Sequence, residues 1–166
     1  GSEKSARMAY EAAADAITLL KNQDSILPLT ANLKVLVTGP NAHSMRTLNG
    51  GWSYSWQGEK TGQYTEEFNT FLEAIRLKTA HVTYIPGVSY INDGKYFEEQ
   101  EDQFAEAVAA ARRADRVLLF VGENSYTEKP GDLNDLTLSP LQTRLAQELI
   151  KTGKPVILEI GRASCR

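Results

Sequence analysis

The chain has 166 residues, of which 42% are hydrophobic and 23% charged, with a net charge of −3. That is the profile of one soluble globular domain or part of one. No basic cluster suits nucleic acid, no apolar run approaches the ~20 residues that cross a bilayer, and no signal-peptide pattern opens the chain. One cysteine, Cys165, excludes an internal disulfide, and the two histidines, His43 and His81, form no metal-ligand spacing.

Gly1 and Ser2 read as a cloning remnant. Residues 1–22 read as an amphipathic helix with Ala6, Ala9, Tyr10, Ala13, Ile17 and Leu20 on one face. Residues 22–28 break it, and residues 34–38 form a first strand ended by Gly39 and Pro40. The loop GPNAHS follows. A dinucleotide site would need GxGxxG at this turn so that backbone can approach pyrophosphate, and the pattern is absent. Residues 49–62, NGGWSYSWQGEKTG, form a glycine-bracketed loop that holds both tryptophans, Trp52 and Trp56. Indoles in such a loop serve either as anchors or as a binding surface. The apolar C–H faces of sugar rings stack on indoles, so an aromatic loop beside an acidic one suits a carbohydrate subsite.

A helix is expected over 65–79, burying Phe68, Phe71, Leu72 and Ile75, and a second strand over 81–85, ended by Pro86 and Gly87. His81, at the start of that strand, reads as structural; His43, after the first strand, could line a site, but a structural role is the preferred reading there too. Residues 87–95 read as a loop whose NDG lacks the other positions of a calcium loop. Residues 96–114 read as an acidic, alanine-rich helix with Phe97, Phe104, Val108 and Ala111 inward and EEQED on a solvated face. The run RVLLF at 116–120 does not alternate, as suits a strand buried on both faces of a parallel sheet. It leads into VGENSYTEKPGDLNDL, a loop carrying Glu123, Glu128, Asp132 and Asp135 at the carboxyl end of a strand, where open α/β sheets meet their ligands. Ser139, Pro140 and Gln142 suggest a capping box opening a helix that buries Leu141, Leu145 and Leu149. Gly153 closes it before a fourth strand at 156–160. Strands alternating with helices imply an α/β fold: a doubly wound, mostly parallel sheet flanked by helices, an α/β sandwich of flavodoxin-like kind.

Two of these stretches, GENSYTEKPGDLNDLTL followed by Gln142 and GGWSYSWQG, resemble the second domain of glycoside hydrolase family 3. ARMAYEAAADAITLLKNQDSILPL resembles the segment that enters that domain from a preceding barrel, so the likeness spans about residues 6–162. It implies part of a retaining, exo-acting β-glycosidase of β-glucosidase or β-xylosidase type, acting on a β-linked oligosaccharide or glycoside without a cofactor. Retention needs two carboxyl groups about 5 Å apart. By the resemblance Glu128 is the acid/base, Trp56 walls the subsite beyond the scissile bond, and Trp52 supports it. Glu123, Tyr126 and Asp132 are expected to support the loop, Glu123 by hydrogen bonding and Asp132 as an Asx-type cap. The nucleophilic aspartate and the pocket for the first sugar belong to the family's N-terminal barrel, so the isolated chain is expected to be inactive. The resemblance also implies a secreted or periplasmic parent protein. The family usually continues past Gly161 and Arg162 into further strands, so Ala163 to Arg166 read as a cloning artefact and the sheet as incomplete. Two other readings compete: a non-catalytic structural or ligand-binding α/β domain whose carboxylates only cap turns, and a nucleotide or flavin module, against which the missing phosphate-cradling glycines count.

Overall fold

In the computed structural model, which describes residues 2–92 and 94–161, the strands are β1 (Val35–Thr38), β2 (Val82–Tyr84), β3 (Gly87–Tyr90), β4 (Glu99–Asp102), β5 (Arg116–Val121) and β6 (Val156–Ile160). The helices are α1 (Glu3–Asp15), α2 (Met45–Leu48), α3 (Phe71–Arg76), α4 (Phe104–Ala111) and α5 (Pro140–Ile150). Cys165 and the expected tail lie outside the described residues.

Strands β1, β2, β5 and β6 form a parallel sheet in the order β2-β1-β5-β6. The sheet explains the missing alternation in its central strands, because both faces are covered. Leu36, Val117, Leu119 and Val121 pack on one face against Ala107, Ala110, Ala111, Leu145 and Leu149 of α4 and α5. Val35, Val37, Leu118 and Phe120 pack on the other against Leu72, with Phe71 and Ile75 of α3 beside them. The Phe71 and Phe120 rings stack with centroids 4.8 Å apart. Each fully buried leucine of this core stabilises the fold by about 1.5–3 kcal/mol relative to exposure.

Three expectations are corrected. Helix α1 ends at Asp15 rather than at residue 22, and none of its residues is buried. Its apolar stripe finds no partner among the described residues, so only the alanine-rich part, with the highest intrinsic propensity, stays helical.

Helix α3 begins at Phe71 rather than at residue 65 because Thr70 and Glu73 close a capping box there. The Thr70 N–H donates to Glu73 Oε2 at 2.7 Å, and the Glu73 N–H donates to Thr70 Oγ1 at 3.4 Å. Phe68, expected inside, precedes the cap and is exposed. Hydrogen bonds from the Thr70 backbone and hydroxyl hold the Glu73 carboxyl below its ordinary pKa. A depressed carboxylate contributes stability above its unfolded-state pKa and loses it as pH falls through the folded value. Thr70→Ala is therefore expected to destabilise the protein by about 1 kcal/mol and to weaken its acid dependence below the usual carboxylate range. Denaturant unfolding from pH 3 to pH 7 reads both effects, and an unchanged pH profile would show the box to be idle.

Residues 87–102 do not form a loop and a helix. They form an antiparallel hairpin in which β3 pairs with β4 from Gly87↔Asp102 to Tyr90↔Glu99, and α4 starts only after Gln103, at φ 56°. Tertiary contacts override the local composition. Val88 is fully buried. At Gly87, with φ +72°, a Cβ would lie 3.0 Å from both Leu145 methyls. Glu99 is bound by Ser139 and Gln142, and Glu101 pairs with Arg144. Phe97, expected inward, is exposed.

Candidate active site

The loops of interest leave the carboxyl ends of β1 and β5. At the first exit, a Cβ on Gly39 would sit 2.0 Å from the Phe120 carbonyl oxygen. That glycine admits the neighbouring strand's backbone. At the second exit, Gly122 is gripped by Gln142, which is 1% exposed. Gln142 Oε1 accepts the Gly122 N–H at 2.9 Å, and its Nε2 donates to the Gly122 carbonyl at 2.8 Å and to Glu99 Oε1 at 2.6 Å. Only half of the expected capping box therefore exists. Ser139 Oγ accepts the Gln142 N–H at 3.1 Å, but the Gln142 side chain crosses to the strand end instead of returning to the N-cap. Tyr90 OH lies 3.1 Å from the same Gly122 carbonyl and 3.0 Å from Asn41 Oδ1. Burial pushes the Tyr90 pKa far up, so the hydroxyl stays a donor.

Beyond Gly122 the acidic loop is held by aromatic packing. The Tyr126 hydroxyl donates to Glu123 Oε2 at 2.9 Å, and its ring lies 4.1 Å from that of Tyr96, centroid to centroid. The Tyr96 hydroxyl donates to the Pro130 carbonyl at 2.7 Å. Asp132 is exposed, and its side chain makes no hydrogen bond among the described residues. The Asx-type contact falls instead to Asp135, whose Oδ1 accepts the Thr137 N–H at 2.9 Å, which holds that carboxyl below its ordinary pKa. Glu128 is exposed and has φ 58° and ψ −138°, a conformation that costs a non-glycine residue on the order of 1–3 kcal/mol. The carbonyl of Glu128 accepts the Gly131 N–H at 2.7 Å.

The tryptophan loop is fastened to this segment. The Trp52 N–H donates to the Trp56 carbonyl at 2.9 Å, while the indoles stay 68% and 50% exposed respectively, so neither is a buried anchor. Gln57 Oε1 accepts the Thr127 N–H at 2.9 Å, Gln57 Nε2 donates to the Thr127 carbonyl at 3.2 Å, and the Gln57 carbonyl accepts from Ser125 Oγ at 2.6 Å. Arg46, just before the loop, donates to Ser125 Oγ at 2.8 Å and to the Ser125 carbonyl at 3.0 Å. Burial lowers the Arg46 pKa, with Glu59 opposing. The approach is close enough that a Cβ on Gly51 would lie 2.4 Å from Thr127 Cβ.

The structure thus brings Trp52 and Trp56 onto a loop bonded to Ser125 and Thr127, next to Glu128, and pairs Glu123 with Tyr126 in the same acidic loop. It does not bring in the histidines. His43 Nδ1 lies 2.9 Å from Thr70 Oγ1. Because the Thr70 hydroxyl proton goes to Glu73 Oε2 at 2.8 Å, the imidazole is the donor in that contact. His81 precedes β2, at the end of the sheet away from the loops. Among the described residues no three His, Cys, Asp or Glu side chains gather as a metal site, and no helix is long and apolar enough to cross a membrane. Sequence reasoning missed Arg46, Gln57, Ser125 and Glu99, and it assigned Gln142 only a cap. The one available signal for Gln57 was its position inside the aromatic motif.

The mostly parallel sheet flanked by helices, with an exposed carboxyl and two exposed tryptophans on joined loops, defines an α/β sandwich domain. The chain belongs to glycosyl hydrolase family 3, whose C-terminal domain matches residues 17–164. It is 37% identical over 156 residues to the lysosomal beta glucosidase of Dictyostelium discoideum, a match covering 93% of this chain and 19% of that protein. It is 33% identical over 162 residues to the beta-xylosidase of Formosa agariphila, covering 95% of this chain and 21% of that protein. Among solved structures, the GH3 beta-glucosidase of Bifidobacterium adolescentis superposes with a TM-score of 0.71 at 28% identity, over 96% of this chain and 22% of that one. The beta-glucosidase of Listeria innocua shares the fold, with a TM-score of 0.75 at 24% identity over 96% of this chain and 20% of that one. The chain thus spans about a fifth of the length of these relatives.

Proposed function

We propose that this chain supplies the proton-transfer half of a retaining, exo-acting β-glycosidase that cleaves β-glucosides or β-xylosides. In the first step an aspartate of a barrel domain in the same polypeptide attacks the anomeric carbon while the Glu128 carboxylic acid protonates the departing glycosidic oxygen. In the second, the Glu128 carboxylate takes a proton from water as that water displaces the enzyme from the sugar. Trp56, supported by Trp52, offers an indole face to the leaving sugar.

The observation that carries this reading is the joint between the loops: the peptide immediately before an exposed glutamate is bonded to the loop that displays both tryptophans. Glu123 is engaged by Tyr126 and Asp135 by the Thr137 backbone, whereas Glu128, like Asp132, has no side-chain partner among the described residues, and of these two only Glu128 adjoins the peptide that Gln57 holds. A glutamate that only capped a turn would be tied to the backbone in the same way as Asp135. The test is Glu128→Ala in the complete polypeptide, assayed on aryl β-glucoside and β-xyloside with and without azide. Hydrolysis should be lost, and azide should restore turnover with a β-glycosyl azide as product, because the small anion needs no general base. Undiminished hydrolysis with no azide adduct would move the proton donor elsewhere.

A further inference from the structure

We propose that Gln57 is a positioning residue for this reaction: it fixes the backbone of Glu128 and thereby aims the acid/base carboxyl. The inference rests on the role proposed for Glu128. A residue's φ is a rotation away from the peptide plane that precedes it, and its ψ a rotation toward the plane that follows. The plane before Glu128 contains the Thr127 carbonyl, which Gln57 Nε2 holds at 3.2 Å, while Gln57 Oε1 holds the Thr127 N–H at 2.9 Å. The plane after Glu128 contains its own carbonyl, which the Gly131 N–H holds at 2.7 Å. Glu128 thus hangs between two clamped planes at φ 58°, a conformation that a glutamate leaves readily when one clamp opens. Rotation to negative φ swings the Cα–Cβ bond, and with it the carboxyl, away from its present direction. Proton transfer requires the carboxyl within hydrogen-bond reach of the glycosidic oxygen. Gln57 belongs to the indole-bearing loop, so the same bonds tie the leaving-group surface to the proton donor.

The test separates aiming of the acid from general damage. In the complete polypeptide, kcat/KM is measured for a β-linked disaccharide, whose leaving alkoxide needs a proton, and for the matching 2,4-dinitrophenyl β-glycoside, whose leaving group needs none. Gln57→Ala should lower the disaccharide value by about 10²-fold and the dinitrophenyl value by less than about threefold, the proton being dispensable there. An equal fall on both substrates, or no fall on either, overturns the inference. Gln57→Glu keeps the shape and the acceptor but removes the donor to the Thr127 carbonyl. It should reproduce the split, decides the matter if the alanine variant does not fold, and overturns the inference if it behaves as wild type. Glu128→Ala is measured alongside. If it shows the split and the Gln57 variants do not, only the role of Gln57 falls. If Glu128→Ala shows no split, the acid assignment itself fails and the positioning role falls with it.

Discussion

Glu128→Gln in the complete polypeptide is expected to lower kcat/KM on a β-linked disaccharide by about 10²- to 10⁴-fold, the range for loss of a general acid, and to remove the high-pH limb of the pH–rate profile. Glutamine keeps the size of the side chain but has no proton to release. The acid must be protonated when the bond breaks, so the native rate falls on the alkaline side. The nucleophile must be ionised, so the rate also falls as pH drops through its own pKa. Removing the acid leaves only the low-pH limb. The loop itself should survive, because the bonds that shape it run through the backbones of Thr127 and Glu128 and the side chains of Gln57 and Tyr126. An unchanged thermal midpoint accompanied by a bell-shaped profile would show that another group donates the proton.

The largest effect on stability is expected at Gln142. Replacing it with alanine strips the Gly122 N–H of its acceptor and Glu99 of one donor at a site where Gln142 is 1% exposed. An unsatisfied buried group costs about 1–3 kcal/mol, and truncation leaves a cavity besides, so a loss of about 2–4 kcal/mol is expected as a lowered urea midpoint. Gln142→Glu separates hydrogen bonding from volume. The introduced carboxyl would face Glu99, whose Oε1 now accepts from Gln142 at 2.6 Å. Two carboxylates so placed resist ionising together, which raises the folded-state pKa of the pair. The penalty is absent below the unfolded carboxylate pKa, where the new group is protonated and can donate, and it grows as pH rises through and above that value. Stability of this variant should therefore fall from pH 4 to pH 8 relative to wild type. A flat difference across that window would mean that the polar network contributes little.

These residues also mark the boundary of what sequence reasoning reaches. Strands β1 and β5 were legible because burial on both faces removes alternation, and the helix starting at Pro140 because serine and proline mark its entry. The hairpin at 87–102 was not, since EEQED carries no apolar signal. Its strand depends on pairing with residues 87–90 and on contacts from Ser139, Gln142 and Arg144, some 40 positions away. The alanine-rich N-terminal helix showed the opposite failure, a clear stripe with nothing to bury it. At the site, the composition of the two loops suggested a carbohydrate surface, and the family resemblance singled out Glu128. The joint between the loops was invisible because Gln57 meets residues about 70 positions away.

Both glutamines of this site grip main chain: Gln57 takes the N–H and carbonyl of Thr127, and Gln142 those of Gly122. Every residue except proline presents the same two groups, so the grip does not depend on which side chain the held position carries. Tolerance to substitution is therefore lopsided. Position 127 is constrained chiefly by space, through the contact with Gly51, and can vary among small residues while the path of the loop is kept. Position 57 needs a donor and an acceptor at glutamine's reach. Such a domain can trade residues along its acidic loop without redrawing the course of the chain.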